Sequence, residues 1–236
     1  MSVGFLSDAH GNVEAFELGH RVLRRCGVDA VYFLGDAVGY LPGPAVVEAV
    51  LAAGIASIRG NHEAMLLAAE STIPHDDVYQ LRSTATAMAP AVLASVARWP
   101  VSRELRLGNT RAVLVHGSPD DPTFGYVYPD TVLDRLAARP ELGDATVFMG
   151  NTHRPFVRRC GSTTFVNVGS CGLPRDVGTL GACCVFDEET GTARILRYDI
   201  REAVARARRR CGPFHEMVDE VLGRSATSYV GELVDV

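Results

Sequence analysis

Two hydrophobic rhythms alternate along the chain, and polar clusters sit where one gives way to the other. Val3 to Leu6 is a short apolar run with the signature of a buried strand, and it ends at Ser7-Asp8-Ala9-His10-Gly11-Asn12. The next apolar residues, Ala15, Phe16, Gly19, Val22, Leu23 and Cys26, recur at helical spacing, with Gly27 where a terminating glycine belongs. Ala30 to Leu34 repeats the strand pattern and ends at Gly35-Asp36. Pro44 opens a second helix that runs to about Ala53, and Ile55 to Ile58 ends at Arg59-Gly60-Asn61-His62-Glu63. Three strand–helix units in succession predict parallel strands joined by right-handed crossovers.

From 64 to 100 the rhythm changes. The segment is alanine-rich, predicts helices broken at Pro74 and Pro90, and reads as an insertion over one edge of a site. Leu105 and Leu107, then Ala112 to Val115, predict a hairpin turned at Gly108-Asn109, and its second strand ends at His116-Gly117. A Pro-, Asp- and aromatic-rich loop follows from Ser118 to Pro129, then a helix over about Asp130 to Ala138. The strand Ala145 to Met149 ends at Gly150-Asn151-Thr152-His153. Short strands near 156–160, 163–168, 180–186 and 192–197 predict an antiparallel second sheet. Helices over Ile200 to Arg210 and Phe214 to Leu222 complete a single domain, 1–222, with 223–236 expected to be a tail.

Composition narrows the class. The chain has 236 residues, 47% hydrophobic and 22% charged, which suits a globular domain with a sizeable core. All 23 basic residues are arginine, a codon-usage signature more than a functional one. The net charge of −5 and the lack of a basic run near the polar clusters argue against long nucleic acid as a partner. Arg206, Arg208, Arg209 and Arg210 read as a solvated helix face. Six cysteines without a CxxC pair read as small core residues of a reducing, cytoplasmic environment, with Cys183 and Cys184 on opposite faces of one strand. No signal segment and no apolar stretch long enough for a membrane span is visible. The sequence is compatible with a homo-oligomer.

The strand ends carry the chemistry. They collect Asp8 and His10, Asp36, Asn61 and His62, His116, and Asn151 and His153. The carboxyl ends of strands in open α/β sheets face the ligand crevice, and the two i,i+2 pairs are expected to point their side chains the same way. A single Asp or His after a strand is ordinarily a cap or a loop hydrogen bond, the reading for His20, His75 and His215. Five coordinated ends are not explained that way. Oxygen and nitrogen donors without thiolate suit Mn, Fe, Zn, Ni or Mg.

The ordered motifs Asp8 to Asn12 (DxHGN), Gly35 to Tyr40 (GDxVGY), Arg59 to Glu63 (RGNHE), Val115 to Pro119 (VHGSP) and Gly150 to Pro155 (GNTHRP) resemble those of the calcineurin-like metallophosphoesterases. Asn167 to Asp176 (NVGSCGLPRD) resembles a segment of the small bacterial and archaeal branch. The resemblance implies a four-layer α/β/β/α sandwich of two mixed sheets, with a centre of two divalent metal ions, Mn²⁺ first among them. It implies Asp8, His10 and His153 on one metal, Asp36 bridging, and Asn61 and His116 on the second. His62 would be the catalytic imidazole. Asn151 stands where the family has a histidine on the second metal, which implies a weaker second site or a shifted metal preference.

Two ions of this kind lower the pKa of a bridging water, whose hydroxide is expected to attack phosphorus in line. His62 is expected to assist the leaving group, with Glu63 either orienting it or capping the following helix. Asn12 is a candidate for a phosphate oxygen or a metal-bound water, or for a turn. Arg154 and Arg175 are candidate phosphate forks or surface ion pairs. Phe124, Tyr126 and Tyr128 are candidates for stacking on a leaving group or for loop packing. The reading is metal-dependent hydrolysis of a small phosphorylated substrate, monoester ahead of diester. The alternatives are a metal-degenerate binding scaffold, or a nuclease or nucleotide pyrophosphohydrolase.

Overall fold

The computed structural model describes residues 1–68, 73 and 75–235. The expected break at Pro74 lies outside them. The chain runs β1 (Ser2–Leu6), α1 (Val13–Arg25), β2 (Ala30–Phe33), α2 (Ala45–Ala52), β3 (Ala56–Ser57) and α3 (Asn61–Leu67). It continues through α4 (Asp76–Tyr79), α5 (Leu81–Ala87), α6 (Pro90–Ala97), β4 (Ser102–Leu107), β5 (Thr110–Val115), α7 (Asp134–Ala137), β6 (Thr146–Met149), β7 (Phe156–Cys160) and β8 (Thr163–Asn167). It ends with β9 (Leu180–Asp187), β10 (Thr192–Asp199), α8 (Arg201–Cys211), α9 (Glu216–Leu222) and β11 (Glu232–Leu233).

Two mixed sheets result, in the orders β11-β10-β9-β1-β2-β3 and β4-β5-β6-β8-β7. The expected parallel pairing of the first three strands is present: β1 pairs with β2 and β2 with β3. The hairpin turned at Gly108-Asn109 is also present as the antiparallel pair β4 and β5. Period-two alternation then fixes the layers. Val3 and Phe5 of β1, Ala112 and Leu114 of β5, Phe148 of β6 and Phe186 of β9 fill the space between the sheets. Phe5 stacks on Phe148 with ring centroids 4.1 Å apart. The alternate residues face outward. Leu6, Cys183 and Val185 pack under helices that include α1 and α2. Val113, Val115 and Val147 pack under α7 and its loop.

The structure departs from expectation in four places. The last four predicted strands do not form one sheet: β7 and β8 pair with each other and β8 lies parallel to β6, while β9 and β10 cross to the first sheet, where β9 runs antiparallel to β1. The expected tail supplies β11, which extends the first sheet by pairing parallel to β10, Leu196 against Glu232 and Arg197 against Leu233. The helix expected over about 130–138 is the short α7. Only Cys171, Cys183 and Cys184 are buried; Cys26 is exposed and Cys160 and Cys211 are partly exposed. No helix among the described residues is long and apolar enough to cross a membrane.

Candidate metal centre

The ends of β1, β2 and β3 in one sheet and of β5 and β6 in the other open onto the same buried space. Asp8, His10, Asp36, His62, His116 and His153 are each under 5% exposed. They form three overlapping groups, Asp8/His10/His153, His10/Asp36/His62 and Asp8/Asp36/His116, each with its ligand atoms within 4.8 Å of one another. The convergence is reached by left-handed turns, not by strand alternation as expected. Asp8, His10, Asp36, Tyr40, Asn151 and His153 have φ between 50° and 63°, a region that non-glycine residues visit at a cost.

Second contacts orient the donors. His10 Nδ1 lies 3.1 Å from the Val38 carbonyl, His116 Nδ1 2.7 Å from that of Leu34 and His153 Nδ1 2.5 Å from that of Leu173. A carbonyl accepts, so each Nδ1 carries the proton, and the Nε2 atoms of His10 and His153 turn lone pairs into the centre. His10 Nε2 and His153 Nε2 then face each other at 3.1 Å with no proton to share. That contact is repulsive unless a cation lies beside both nitrogens.

The carboxylates make the same demand. Burial pushes Asp8 up to about 7, against the pull of His116. Burial alone would lower His116, yet Asp36 at 3.4 Å and Asp8 at 4.0 Å push it up to about 10. Burial also opposes the charge on Asp36, but His116, His62 and His10 hold it well below the usual carboxylate range. Burial pulls His10 and His153 well down, which leaves them neutral and free to ligate. Two buried carboxylates facing unprotonated imidazole nitrogens are a donor set completed by divalent ions, and the residues present fit that group.

His62 differs from the other three imidazoles. Its Nδ1 is buried without a hydrogen-bond partner among the described residues. That nitrogen faces Gly39, where an added Cβ would lie 2.1 Å away. Three rings enclose it: His10 at 4.7 Å, Tyr40 at 5.3 Å and Tyr79 at 4.7 Å. With nothing to accept from Nδ1, the proton belongs on Nε2, which lies 4.0 Å from Asp36. His62 is therefore packed as a donor into the site and lacks the carbonyl anchor of the other three.

Glu63 does not orient His62. Its two oxygens accept from the backbone N–H groups of Asp36 (2.8 Å), Ala37 (2.7 Å), Val38 (3.2 Å) and Gly60 (2.8 Å). It ties the loop after β2 to the start of α3, closer to the capping alternative than to a carboxylate–imidazole pair. Asn12 is likewise committed: its Oδ1 caps α1 at Ala15 N–H, and its Nδ2 donates to the Gly172 carbonyl. Those two bonds fix the side chain in the turn reading, with one amide N–H left uncommitted. Asn61 Oδ1 does reach the centre, 3.0 Å from His116 Nε2.

Asn151 touches the site through its backbone, where its N–H donates to the Asp8 carboxylate at 3.1–3.2 Å. Its side-chain Nδ2 donates to the Gly125 carbonyl, so part of the amide is spent on the loop after β5. Arg175 is half-buried and donates to the Tyr40 hydroxyl at 2.8 Å; Arg154 is exposed. Phe124, Tyr126 and Tyr128 are exposed, with Tyr126 and Tyr128 stacked at 6.0 Å. Tyr79 was not foreseen. It belongs to the helical insertion and carried no motif, yet its carbonyl accepts from Tyr40 N–H at 2.9 Å and its ring closes on His62.

A two-sheet sandwich whose strand ends gather oxygen and nitrogen donors that could hold metal has the make-up of a metal-dependent hydrolase. The chain belongs to the calcineurin-like phosphoesterase superfamily, whose domain profile matches residues 1–191. It is similar to an uncharacterised protein of Methanocaldococcus jannaschii, 27% identical over 85% of this chain and 89% of that one. It is also similar to the crystal structure of a metallophosphoesterase from Sphaerobacter thermophilus, 25% identical with a TM-score of 0.74 over 94% of this chain and 98% of that one. A hypothetical protein of Pyrococcus horikoshii OT3 shares the fold across 99% of both chains, with a TM-score of 0.83 at 20% identity.

Proposed function

We propose that the chain hydrolyses phosphate monoesters of small molecules, with diesters as a slower class. The carrying observation is the three overlapping groups of imidazole nitrogens and carboxylate oxygens, each gathered within 4.8 Å, with one differently held imidazole, His62, in one of them. Asp8, His10 and His153 would hold one divalent ion, Asn61 and His116 the other, and Asp36 would face both; Mn²⁺ is the leading choice. When bound, such ions supply an activated water and neutralise charge on phosphorus. The chain's own part is positioning. His62 presents Nε2–H toward the leaving oxygen, Tyr40 and Tyr79 hold its ring, and Arg175 adds positive charge at the mouth. A dianionic monoester gains more from that charge than a monoanionic diester does.

Hydrolysis of p-nitrophenyl phosphate and bis(p-nitrophenyl) phosphate with added Mn²⁺, together with metal analysis, tests the reading. No turnover of either ester by metal-loaded protein would overturn it. Leaving-group dependence tests the role of His62. His62→Ala is expected to slow hydrolysis of an alkyl phosphate by about 10²-fold or more. Release of p-nitrophenolate, whose charge is delocalised and needs no hydrogen bond from Nε2–H, should suffer far less. Tyr79→Ala should follow the same pattern at smaller size, and Tyr79→Phe should restore it. Equal losses on both substrates would mean that Tyr79 serves the fold and not the imidazole.

Asn151→His restores the superfamily's usual imidazole and is expected to tighten binding of the second ion and raise kcat/KM at limiting Mn²⁺. A metal titration followed by activity checks it. Unchanged metal stoichiometry would show that residue 151 does not reach the second site.

A further inference from the structure

Beside the metal centre lies a second cavity, about 510 Å³, lined by Arg154, Arg175, Asp176, Arg224, Ser225 and Ala226. It is built from three separate segments. The loop after β6 supplies Arg154, the segment before β9 supplies Arg175 and Asp176, and the chain just after α9 supplies the rest. The last two are joined, since Gly178 N–H donates to the Arg224 carbonyl at 2.9 Å. A Cβ at Gly178 would lie 2.3 Å from the Leu222 carbonyl, so only glycine allows this close approach.

The cavity's positive charge is only partly compensated. Its one carboxylate, Asp176, is claimed by the buried guanidinium of Arg197 through hydrogen bonds of 2.6 and 3.0 Å. Arg154 has no carboxylate partner among the described residues. Arg224 meets Glu220 at 3.3 Å, an exposed i,i+4 pair of little strength. Arg175 spends its guanidinium on the neutral Tyr40 hydroxyl. Three guanidinium groups thus face one cavity in a chain whose net charge is −5.

Two residues of the cavity's lining are tied to the centre. Arg154 follows His153 directly, and Arg175 N–H donates to the His153 carbonyl at 3.3 Å. The Tyr40 ring that receives Arg175 stands edge-on to His10 at 4.8 Å. Guanidinium forks match phosphate oxygens two at a time, and neither metal nor His62 is needed to hold an anion there.

We propose that this cavity binds a second phosphate group, so that the substrate is a small molecule carrying two phosphates, one at the metals and one at Arg154, Arg175 and Arg224. The proposal rests on the phosphoesterase reading above. The second phosphate has two possible sources, an anhydride-linked phosphate as in a nucleoside diphosphate, or an ester on another carbon as in a sugar bisphosphate.

The test measures phosphate release by the full chain at fixed free Mn²⁺ from two substrate pairs. These are adenosine 5′-monophosphate against the diphosphate, and fructose 6-phosphate against fructose 1,6-bisphosphate. The doubly phosphorylated member of one pair is expected to be preferred in kcat/KM by about tenfold or more, and the preferred pair identifies the source. Arg224→Gln and Arg154→Gln are expected to erase that preference through KM, and Arg224→Lys to keep part of it. Absence of preference in both pairs, or a preference that survives the double Arg154→Gln/Arg224→Gln variant, overturns the proposal. p-Nitrophenyl phosphate separates the two readings. If it is hydrolysed and no preference exists, only the second subsite fails; if no substrate is hydrolysed, the phosphoesterase reading itself fails.

Discussion

Asp36→Asn is expected to reduce phosphoester hydrolysis by at least about 10³-fold, well beyond the 10–100-fold that loss of a mere orienting partner costs a metal site. Asp36 belongs to two of the three donor groups, with Oδ2 3.6 Å from His10 Nε2 and 3.4 Å from His116 Nε2. Asp8 also belongs to two groups, but its Oδ1 lies farther from the same two nitrogens, 3.9 Å from His10 and 4.0 Å from His116, so an amide at position 36 is expected to weaken the hold on both ions at once. The fold should survive. The amide oxygen can still accept from His62 N–H, as Oδ1 does now at 2.9 Å. Thermal unfolding with and without metal separates the two effects. The unaltered protein is expected to gain about 2.7 kcal/mol at a free metal concentration 100 times its Kd, and the variant almost none. A variant that binds two ions normally and still turns over would remove Asp36 from the centre.

The strand ends were legible because their signal is local. A buried apolar run followed by a glycine and a polar residue marks a place where chain leaves the core and chemistry begins, and all five such ends converge. What failed was information that no neighbour in sequence carries. Thr163–Asn167 and Leu180–Asp187 are almost wholly buried, so alternation could not say which sheet each strand would join. Two residues of β11 pair with β10 through backbone groups that Glu232 and Leu233 do not advertise. Tyr79 reaches His62 from an insertion with no motif. Even the i,i+2 argument at Asp8 and His10 reached the right outcome by the wrong geometry, since both residues turn left-handed.

Glu63 shows how adjacency misleads. A carboxylate next to His62 in sequence suggests a pair, but consecutive residues on a helix point about 100° apart and do not face each other. In α3 His62 faces the candidate metal centre, and Glu63 faces back under the loop that carries Asp36. There it accepts four backbone N–H groups, and burial with the nearby Asp36 charge pushes it up to about 7 while those donors pull it down.

This arrangement predicts that Glu63→Gln destabilises the metal-free protein by about 3–5 kcal/mol, because one amide NH₂ must turn toward backbone donors that then have no acceptor. That is a large share of the 5–15 kcal/mol typical of a domain. Urea denaturation of the metal-free protein reads it directly, as a lower midpoint with an unchanged slope. Activity should fall as well, since the held loop carries Asp36 and the Val38 carbonyl that anchors His10. The loss should be equal for good and poor leaving groups and partly recovered by excess metal, which favours the ordered loop. Glu63→Gln with full stability and a selective loss on poor leaving groups would instead return Glu63 to the role of partner to His62.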